Sequence, residues 1–206
     1  TKDGIKSDTS LCQKNTARCI FEYIYFARPD SKIDGMGVYE SRVNAGRILA
    51  KTHPVDADLV VGVPESGNPA ALGYSMESGI PYGNAFIKNN YVGRTFIKPS
   101  VKVKLNVLKE VVAGKRVIMI DDSIVRGTTS SRIINLLRQA GAKEVHVRIS
   151  SPAFLHPCYF GTDIPSEDQL IASGRTVEQI CDEIGADSLG YLETDKLSEM
   201  ICNQTG

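Results

Sequence analysis

The sequence has no excess of charge of either sign. Lysine and arginine together number 24, and so do aspartate and glutamate. This balance excludes a global field that would recruit nucleic acid or an anionic membrane, so any anion site must be local. No apolar run approaches the roughly 20 residues needed to span a bilayer, and no signal peptide is recognisable. These absences predict a cytoplasmic protein with no nucleic-acid partner and no membrane partner.

The sequence also lacks paired cysteines and the common nucleotide motifs. Its five cysteines are odd in number, contain no C-x-x-C pair and stand at positions 12, 19, 158, 181 and 202. A disulfide framework is therefore not expected. The three histidines, His53, His146 and His156, share no metal-ligand spacing and are expected at the surface or packed. Neither G-x-x-x-x-G-K-[ST] nor G-x-G-x-x-G occurs, which disfavours a general nucleotide-binding module.

The chain does have enough apolar residues for a sizeable core. It is 206 residues long and 42% hydrophobic, which suits one domain at 19–206 after an irregular, polar lead-in at 1–18. Strand patterns alternate with helix patterns along this domain. Such alternation predicts an α/β fold with a mainly parallel, doubly wound sheet, whose ligands bind at the carboxyl ends of the strands.

The hydrophobic patterns place these elements approximately. Apolar runs and alternating patterns predict strands at 19–27, 59–63, 82–87, 117–120, 144–149 and 188–192. Helical spacing predicts helices at 38–52, 70–77 and 129–140. Two possible capping boxes, Ser166-x-x-Gln169 and Thr176-x-x-Gln179, predict two short helices, and a last helix is expected from about residue 195.

The most informative stretch is 117–130. Four apolar residues end in Asp121-Asp122, and a short loop with Gly127 then leads through Thr128, Thr129 and Ser130 into a helix. Backbone N–H groups at a helix start, together with hydroxyls, suit a phosphate monoester, and glycine lets the backbone approach it closely. The two aspartates are acceptors only, so beside a phosphate they best serve sugar hydroxyls or a hard cation such as Mg²⁺.

Two other loops leave predicted strands in the same half of the chain. The loop 64–69 is either a second oxyanion-binding turn or a plain strand-to-helix connection. The basic loop 88–100 is either a functional anion site or a solvated surface loop. Because all three loops would follow strand ends, they are expected to converge on one crevice.

Three stretches of the sequence resemble the type I phosphoribosyltransferases. Residues 117–130 resemble the signature with which the family binds phosphoribosyl pyrophosphate (PRPP). Within this stretch, the sequence Asp-Asp-Ser-Ile-Val-Arg-Gly-Thr-Thr resembles that of a glutamine-dependent branch of the family. Residues 21–31 and 91–97 resemble the same branch, so that the resemblance extends from about residue 19 to residue 200. It implies the type I phosphoribosyltransferase fold and a pentosyltransferase.

The resemblance also implies a reaction. In that branch, ammonia from glutamine displaces pyrophosphate from PRPP and gives 5-phosphoribosylamine, the first step of purine synthesis. A glutaminase domain precedes the transferase there, and a homo-oligomer inhibited by purine nucleotides is expected. The glutaminase is not recognisable in this sequence, so the chain is expected to be a transferase fragment or a separately supplied domain, with ammonia-dependent activity at most. A base-salvage phosphoribosyltransferase and a non-catalytic PRPP-binding regulator remain alternatives.

The resemblance assigns roles to individual residues. It implies that Lys88, Arg94, Asp121 and Asp122 are catalytic, and that Ser66 joins the two aspartates at Mg²⁺. The residues implied to bind PRPP are Ser123, Ile124, Val125, Arg126, Gly127, Thr128, Thr129 and Ser130.

The sequence departs from the family in its predicted mobile catalytic loop. Asn90 stands where the family usually has arginine, and several family residues are missing after Ser100. Those residues are either a disordered lid left out of the sequence or a true deletion.

Two cysteines match a metal-cluster pattern. In one branch of the family, positions like Cys19 and Cys158 are two of the four ligands of a [4Fe–4S] cluster. The resemblance therefore implies a cluster in the full-length protein. From the residues alone, two isolated cysteines are more often buried thiols.

Overall fold

A central parallel sheet organises the molecule. The computed structural model describes residues 4–10, 18–88, 105–159, 161–162, 164 and 166–201. Within these ranges, four strands form one sheet in the order β3-β6-β7-β8, and every neighbouring pair is parallel. The strands are β3 Leu59–Gly62, β6 Arg116–Asp121, β7 Glu144–Ile149 and β8 Ser188–Tyr191. Two antiparallel ribbons accompany the sheet, namely β1 Lys32–Ile33 with β2 Met36–Gly37, and β4 Phe86–Lys88 with β5 Leu105–Val107.

Helices cover both faces of the sheet. The helices are α1 Val38–Thr52, α2 Asn68–Ser78, α3 Lys109–Val112, α4 Thr128–Gln139, α5 Val177–Ile184 and α6 Leu197–Met200. The side chains of strand β6 pack into two separate hydrophobic cores, because successive side chains of a strand point to opposite faces of the sheet. Ile118 and Ile120 pack with α1 and α2, whereas Val117 and Met119 pack with α4 and α5. The predicted α/β fold with a doubly wound parallel sheet is confirmed.

The sequence patterns located most elements within a few residues. The helix predicted at 38–52 and the strand predicted at 144–149 match the observed bounds. Thr176 and Gln179 form the predicted capping box, with each side chain bonded to the other residue's backbone N–H. Among the described residues, no helix combines the length and the apolar character that a bilayer crossing requires.

Three predictions of local structure were wrong. The segment predicted as a strand at 19–27 contains a π-helical turn, Glu22–Phe26, in which the adjacent residues Tyr23 and Ile24 are both buried. In the predicted strand 82–87, Tyr82 makes only an isolated bridge to Val60, and β4 begins at Phe86 and pairs outside the central sheet.

The third error concerns the first capping box. Ser166 makes no side-chain cap, and only a short 3₁₀ turn, Glu167–Gln169, follows it. The sequence pattern Ser166-x-x-Gln169 does not form a capping box, because the backbone N–H of Gln169 donates to the Ser166 carbonyl and not to the Ser166 hydroxyl.

Candidate active site

A cavity of about 580 Å³ lies beyond the carboxyl ends of β3 and β6. The loops that leave these two strands contribute most of its lining, which is where an α/β sheet places its ligands. The lining residues are Val63, Pro64, Ser66, the whole of 121–130, Phe21, Tyr25, Phe26, Gly161, Thr162 and Ile164. The structure thus brings together Ser66, both aspartates and all of the residues 123–130 that the sequence singled out.

The Asp122 carboxylate joins the two loops. Its Oδ1 accepts a hydrogen bond from the Ser66 hydroxyl at 2.7 Å, and its Oδ2 accepts one from the Ser123 hydroxyl at 2.7 Å. The side chain is largely buried, so these bonds fix the orientation of the carboxylate at the cavity wall. A negatively charged, oriented group of this kind suits sugar hydroxyls, a metal ion or a developing positive charge.

Asp121 differs from Asp122 in its electrostatic environment. Its Oδ1 accepts the backbone N–H of Asp122 at 2.9 Å. Burial raises the pKa of Asp121 well above its ordinary value, and the adjacent negative charge of Asp122 raises it further. Charge on Asp121 is therefore costly unless a cation or a donor compensates for it.

The oxygen donors here are suitable for a hard divalent cation. Ser66, Asp121 and Asp122 present only carboxylate and hydroxyl oxygens to the cavity, which are the ligand types that Mg²⁺ prefers. Among the described residues, no group of three or more His, Cys, Asp or Glu could hold a metal ion. These three side chains alone do not complete the octahedral shell of Mg²⁺, so an ion held by them would take its remaining ligands from water or a bound ligand.

The loop 123–130 has the geometry of an anion cradle. Helix α4 starts at Thr128 directly after Gly127, whose φ is +74°. A Cβ at Gly127 would lie 2.3 Å from Cδ1 of Ile171, so the side chain of Ile171 occupies the space behind the loop. The backbone N–H of Ile171 donates to the Val125 carbonyl at 2.9 Å. Because the loop is supported from behind, the first N–H groups of α4 are available to an anion in the cavity.

The Arg126 side chain is hydrogen-bonded to Gln169, in a turn that is distant along the chain. Its Nε donates to Oε1 of Gln169 at 3.1 Å, and its Nη2 donates to the same oxygen. Sequence reasoning identified Arg126 but missed Gln169 and Ile171. Neither belongs to a local motif, since the chain returns to the loop only after more than 40 residues.

An aromatic group forms another wall of the cavity. We call residues 21–26 the aromatic segment, and three of its rings, Phe21, Tyr25 and Phe26, line the cavity. Phe21 packs edge-on against Phe26 at 5.5 Å between ring centroids and against Phe154 at 5.0 Å. These aromatics lie in the segment whose pattern predicts a strand at 19–27, so the sequence does not predict their place in the site.

Similarity to known proteins covers nearly the whole chain, although no family model matches it. The amidophosphoribosyltransferase of Methanocaldococcus jannaschii is 54% identical in an alignment of 204 residues, which covers 96% of this chain and 43% of that protein. The amidophosphoribosyltransferase of Archaeoglobus fulgidus is 56% identical in an alignment of 208 residues, which covers 97% of this chain and 46% of that protein. Over nearly its whole length, this chain is similar to one part of the amidophosphoribosyltransferases.

A solved structure of the family supports the same assignment. Glutamine PRPP amidotransferase from B. subtilis, complexed with ADP and GMP, matches with a TM-score of 0.85 and 52% identity, over 93% of this chain and 44% of that one. The fold is that of the type I phosphoribosyltransferases, as the sequence resemblance implied. The chain spans less than half the length of the curated amidophosphoribosyltransferases that it matches.

The remaining candidate residues either do not line the cavity or fall outside the described ranges. Lys88 does not line the cavity, but its ammonium lies 3.3 Å from the Glu65 carboxylate in the loop after β3. Arg94 and the rest of 89–104, including the predicted catalytic loop, fall outside the described residues. Cys19 is exposed and Cys158 is half-buried, and Cys158 makes a β-bridge with the lining residue Ile164.

Proposed function

We propose that this chain is the phosphoribosyltransferase part of an amidophosphoribosyltransferase. In this proposal, ammonia derived from glutamine displaces pyrophosphate from PRPP and gives 5-phosphoribosylamine, the first step of purine synthesis. The observation that carries the proposal is one cavity lined by both the acidic pair and the whole of the loop 123–130. The relatives support it, because proteins 54% and 56% identical to this chain are named for that activity.

The loop 126–130 would bind the 5-phosphate of PRPP. It offers the first backbone N–H groups of α4, the hydroxyls of Thr128, Thr129 and Ser130, and a close backbone approach at Gly127. An anion held there places the ribose toward Asp121 and Asp122, which precede the loop in the same cavity. The two carboxyl groups would then accept hydrogen bonds from the ribose hydroxyls.

Catalysis in this site would depend on positioning and charge. Displacement at the anomeric carbon builds positive charge on the sugar and negative charge on the departing pyrophosphate. The oriented Asp122 carboxylate favours the first of these charges. Lys88 and Arg94 would favour the second, and no covalent nucleophile is required.

The metal proposed for this site is Mg²⁺. Ser66, Asp121 and Asp122 would hold it, and their oxygen donors fit it. When bound, it would supply positive charge that neutralises the leaving group. A cation would also compensate for the cost of charge on Asp121, whose buried carboxyl has a raised pKa.

A [4Fe–4S] cluster is proposed for the full-length protein. Such a cluster takes four thiolates, of which this chain would contribute Cys19 and Cys158. Iron and acid-labile sulfide measured in the complete protein test this. Cys158→Ser should lose most of both, whereas Cys181→Ser, a half-buried cysteine in α5, should keep them. Equal iron content in the two variants would reject the assignment.

The proposed partners follow from the same assignment. They are PRPP, ammonia and a glutaminase domain, and we propose a cytoplasmic homo-oligomer. Product analysis separates the proposal from the two alternatives. The complete protein, given PRPP and Mg²⁺ with either ammonium, a purine base or a pyrimidine base, should form 5-phosphoribosylamine from ammonium and no nucleotide. Formation of a nucleotide would indicate a base-salvage enzyme, and PRPP binding without any product would indicate a regulator.

A further inference from the structure

Arg42 is a buried cation whose hydrogen-bond partners are all backbone carbonyls. The side chain is 4% exposed, and it lies on α1. Its Nε donates to the Tyr23 carbonyl at 2.8 Å, and its Nη2 donates to the carbonyls of Tyr25 and Ala27 at 3.1 and 2.8 Å. Within the described ranges, no carboxylate forms an ion pair with it. A single side chain therefore satisfies three carbonyls of one short segment.

Two of those carbonyls belong to the aromatic segment, and the third belongs to Ala27, directly after it. The segment forms only one turn, with its own bonds from the N–H of Ile24 to the Ile20 carbonyl and from the N–H of Ala27 to the Glu22 carbonyl. One isolated turn has little stability by itself, and the last carbonyls of any helix need outside donors. Arg42 provides those donors from a long helix that is packed against the rest of the fold.

The segment carries one wall of the active-site cavity. Phe21, Tyr25 and Phe26 line the cavity, and the Phe26 ring packs closely on Gly161, where a Cβ would lie 3.0 Å from Cζ. The guanidinium also interacts electrostatically with one acidic residue of the cavity. Burial lowers the pKa of Arg42, and the negative charge of Asp122 opposes that lowering. Arg42 thus bonds to the aromatic segment and interacts with Asp122, and residues of both line the same cavity.

We propose that Arg42 is a positioning residue that holds the aromatic wall of the cavity in place opposite the reacting groups. Its consequence for the reaction rests on the proposed function. Water competes with ammonia for PRPP, and an apolar wall that keeps its shape excludes water from the anomeric carbon. Without the three bonds, the wall loosens and PRPP is hydrolysed more often.

The first test measures the wall directly. In the complete protein, Arg42→Lys keeps the charge, but its single nitrogen cannot stand at both positions from which Nε and Nη2 reach the three carbonyls. We expect hydrogen exchange of the amides of residues 22–27 to become at least about tenfold faster, while exchange in β6 stays unchanged. Arg148→Lys is the matched control. Arg148 is equally buried at 4% exposure and donates to the carbonyls of His53 and Val147, away from the aromatic segment.

The second test measures the reaction. We measure the rate of pyrophosphate release from PRPP without ammonium and divide it by the rate with ammonium. We expect this ratio to rise about fivefold in Arg42→Lys and to stay unchanged in Arg148→Lys. A merely structural role would lower both rates together and leave the ratio as it is.

The outcomes separate the two proposals. Unchanged exchange at 22–27 in Arg42→Lys would overturn the positioning role, and so would faster exchange with an unchanged ratio. If the wild-type protein releases no pyrophosphate under either condition, the proposed function fails and the exchange comparison alone decides whether Arg42 holds the wall. Should Arg42→Lys not fold, Arg42→Gln removes the buried charge, retains one donor group and is expected to give the same pattern.

Discussion

Asp122 shows how single residues prepare this site. Two serine hydroxyls from different loops donate to its two carboxylate oxygens, each at 2.7 Å. The carboxylate is therefore oriented without any ligand, and such preorganised charge is the largest source of rate enhancement in many enzymes.

Replacement of Asp122 by Asn should abolish most of the transfer. The variant keeps the size of the side chain but removes its charge, so pyrophosphate release should fall at least about 100-fold. One hydroxyl loses its acceptor, which should cost only about 1 kcal/mol of stability. Steady-state kinetics and urea unfolding measure the two effects. The control is Asp182→Asn at the exposed end of α5, and wild-type turnover in a folded Asp122→Asn would contradict the role.

Replacement of Asp121 by Asn should stabilise the fold at neutral pH. Burial raises the pKa of Asp121 above its ordinary value of 3.8, so as pH rises the unfolded chain loses this proton before the folded one. The folded state then binds more protons, and stability falls with rising pH from about that value upward through the folded pKa. Asn removes this loss while its oxygen can still accept the N–H of Asp122.

The quantity to measure is the difference in free energy of unfolding between wild type and Asp121→Asn, at two pH values. Urea unfolding of wild type and Asp121→Asn at pH 4 and at pH 7 should show a stability advantage of the variant that grows with pH. An advantage that does not change between the two pH values would contradict the raised pKa.

The sequence predicted the acidic residues of the site but not their supports. Asp121 and Asp122 were identifiable because a buried strand pattern ends at them, and strand ends are where parallel sheets bind ligands. Gln169 and Arg42 act on segments that are 43 and 15 to 19 residues away along the chain. Only tertiary packing brings them there, so no local pattern could have identified them.

Among the elements, α1 and α2 approach each other unusually closely. A Cβ at Gly46 would lie 1.8 Å from the Ala70 carbonyl oxygen, and one at Gly73 would lie 1.9 Å from the Val43 carbonyl oxygen. Each helix therefore uses a glycine to admit the backbone of the other. This contact helps to position Asn68 at the start of α2, directly after the loop that contributes Ser66.

Gly46→Ala should separate these helices. The added methyl group meets backbone rather than a mobile side chain, so overpacking should cost about 3 kcal/mol. Urea unfolding measures the loss. Gly37→Ala is the control at the start of the same helix, where the nearest atom would be 3.6 Å away, and we expect it to cost about 1 kcal/mol or less. Equal stability of the two variants would contradict the close approach.

Gly127→Ala should weaken the anion cradle. Alanine is strained at a φ of +74°, and its methyl group would displace Ile171 from behind the loop. We expect the KM for PRPP to rise at least about tenfold. Gly174→Ala is the matched control, because Gly174 has a φ of +69° but nothing within 4 Å of the added Cβ. An equal KM in both variants would mean that the loop does not need the close contact with Ile171.

Elements with a strong period were predictable, and those decided by distant contacts were not. Helix α1 and strand β7 follow clear helical and alternating patterns, and both match the prediction. The aromatic segment contains enough β-favouring residues to resemble a strand. It folds as a turn because Tyr23 and Ile24 are buried side by side and Arg42 satisfies the freed carbonyls.

At the scale of the whole molecule, the doubly wound sheet explains where the site lies. Parallel strands bring the loops after β3 and β6 to one edge, and the cavity forms between them. The sequence predicted this convergence because it follows from topology alone. The aromatic wall and the support from Ile171 come from segments far apart in the chain, which no strand pattern relates to each other.

The most direct test of the central claim is pyrophosphate release by the complete protein. PRPP and Mg²⁺ are supplied at mildly alkaline pH, with and without ammonium, and released pyrophosphate is measured over time. We expect release that depends on ammonium and saturates with PRPP. No release, together with no detectable binding of PRPP, would contradict the assignment of the 121–130 loop as the phosphoribosyl site.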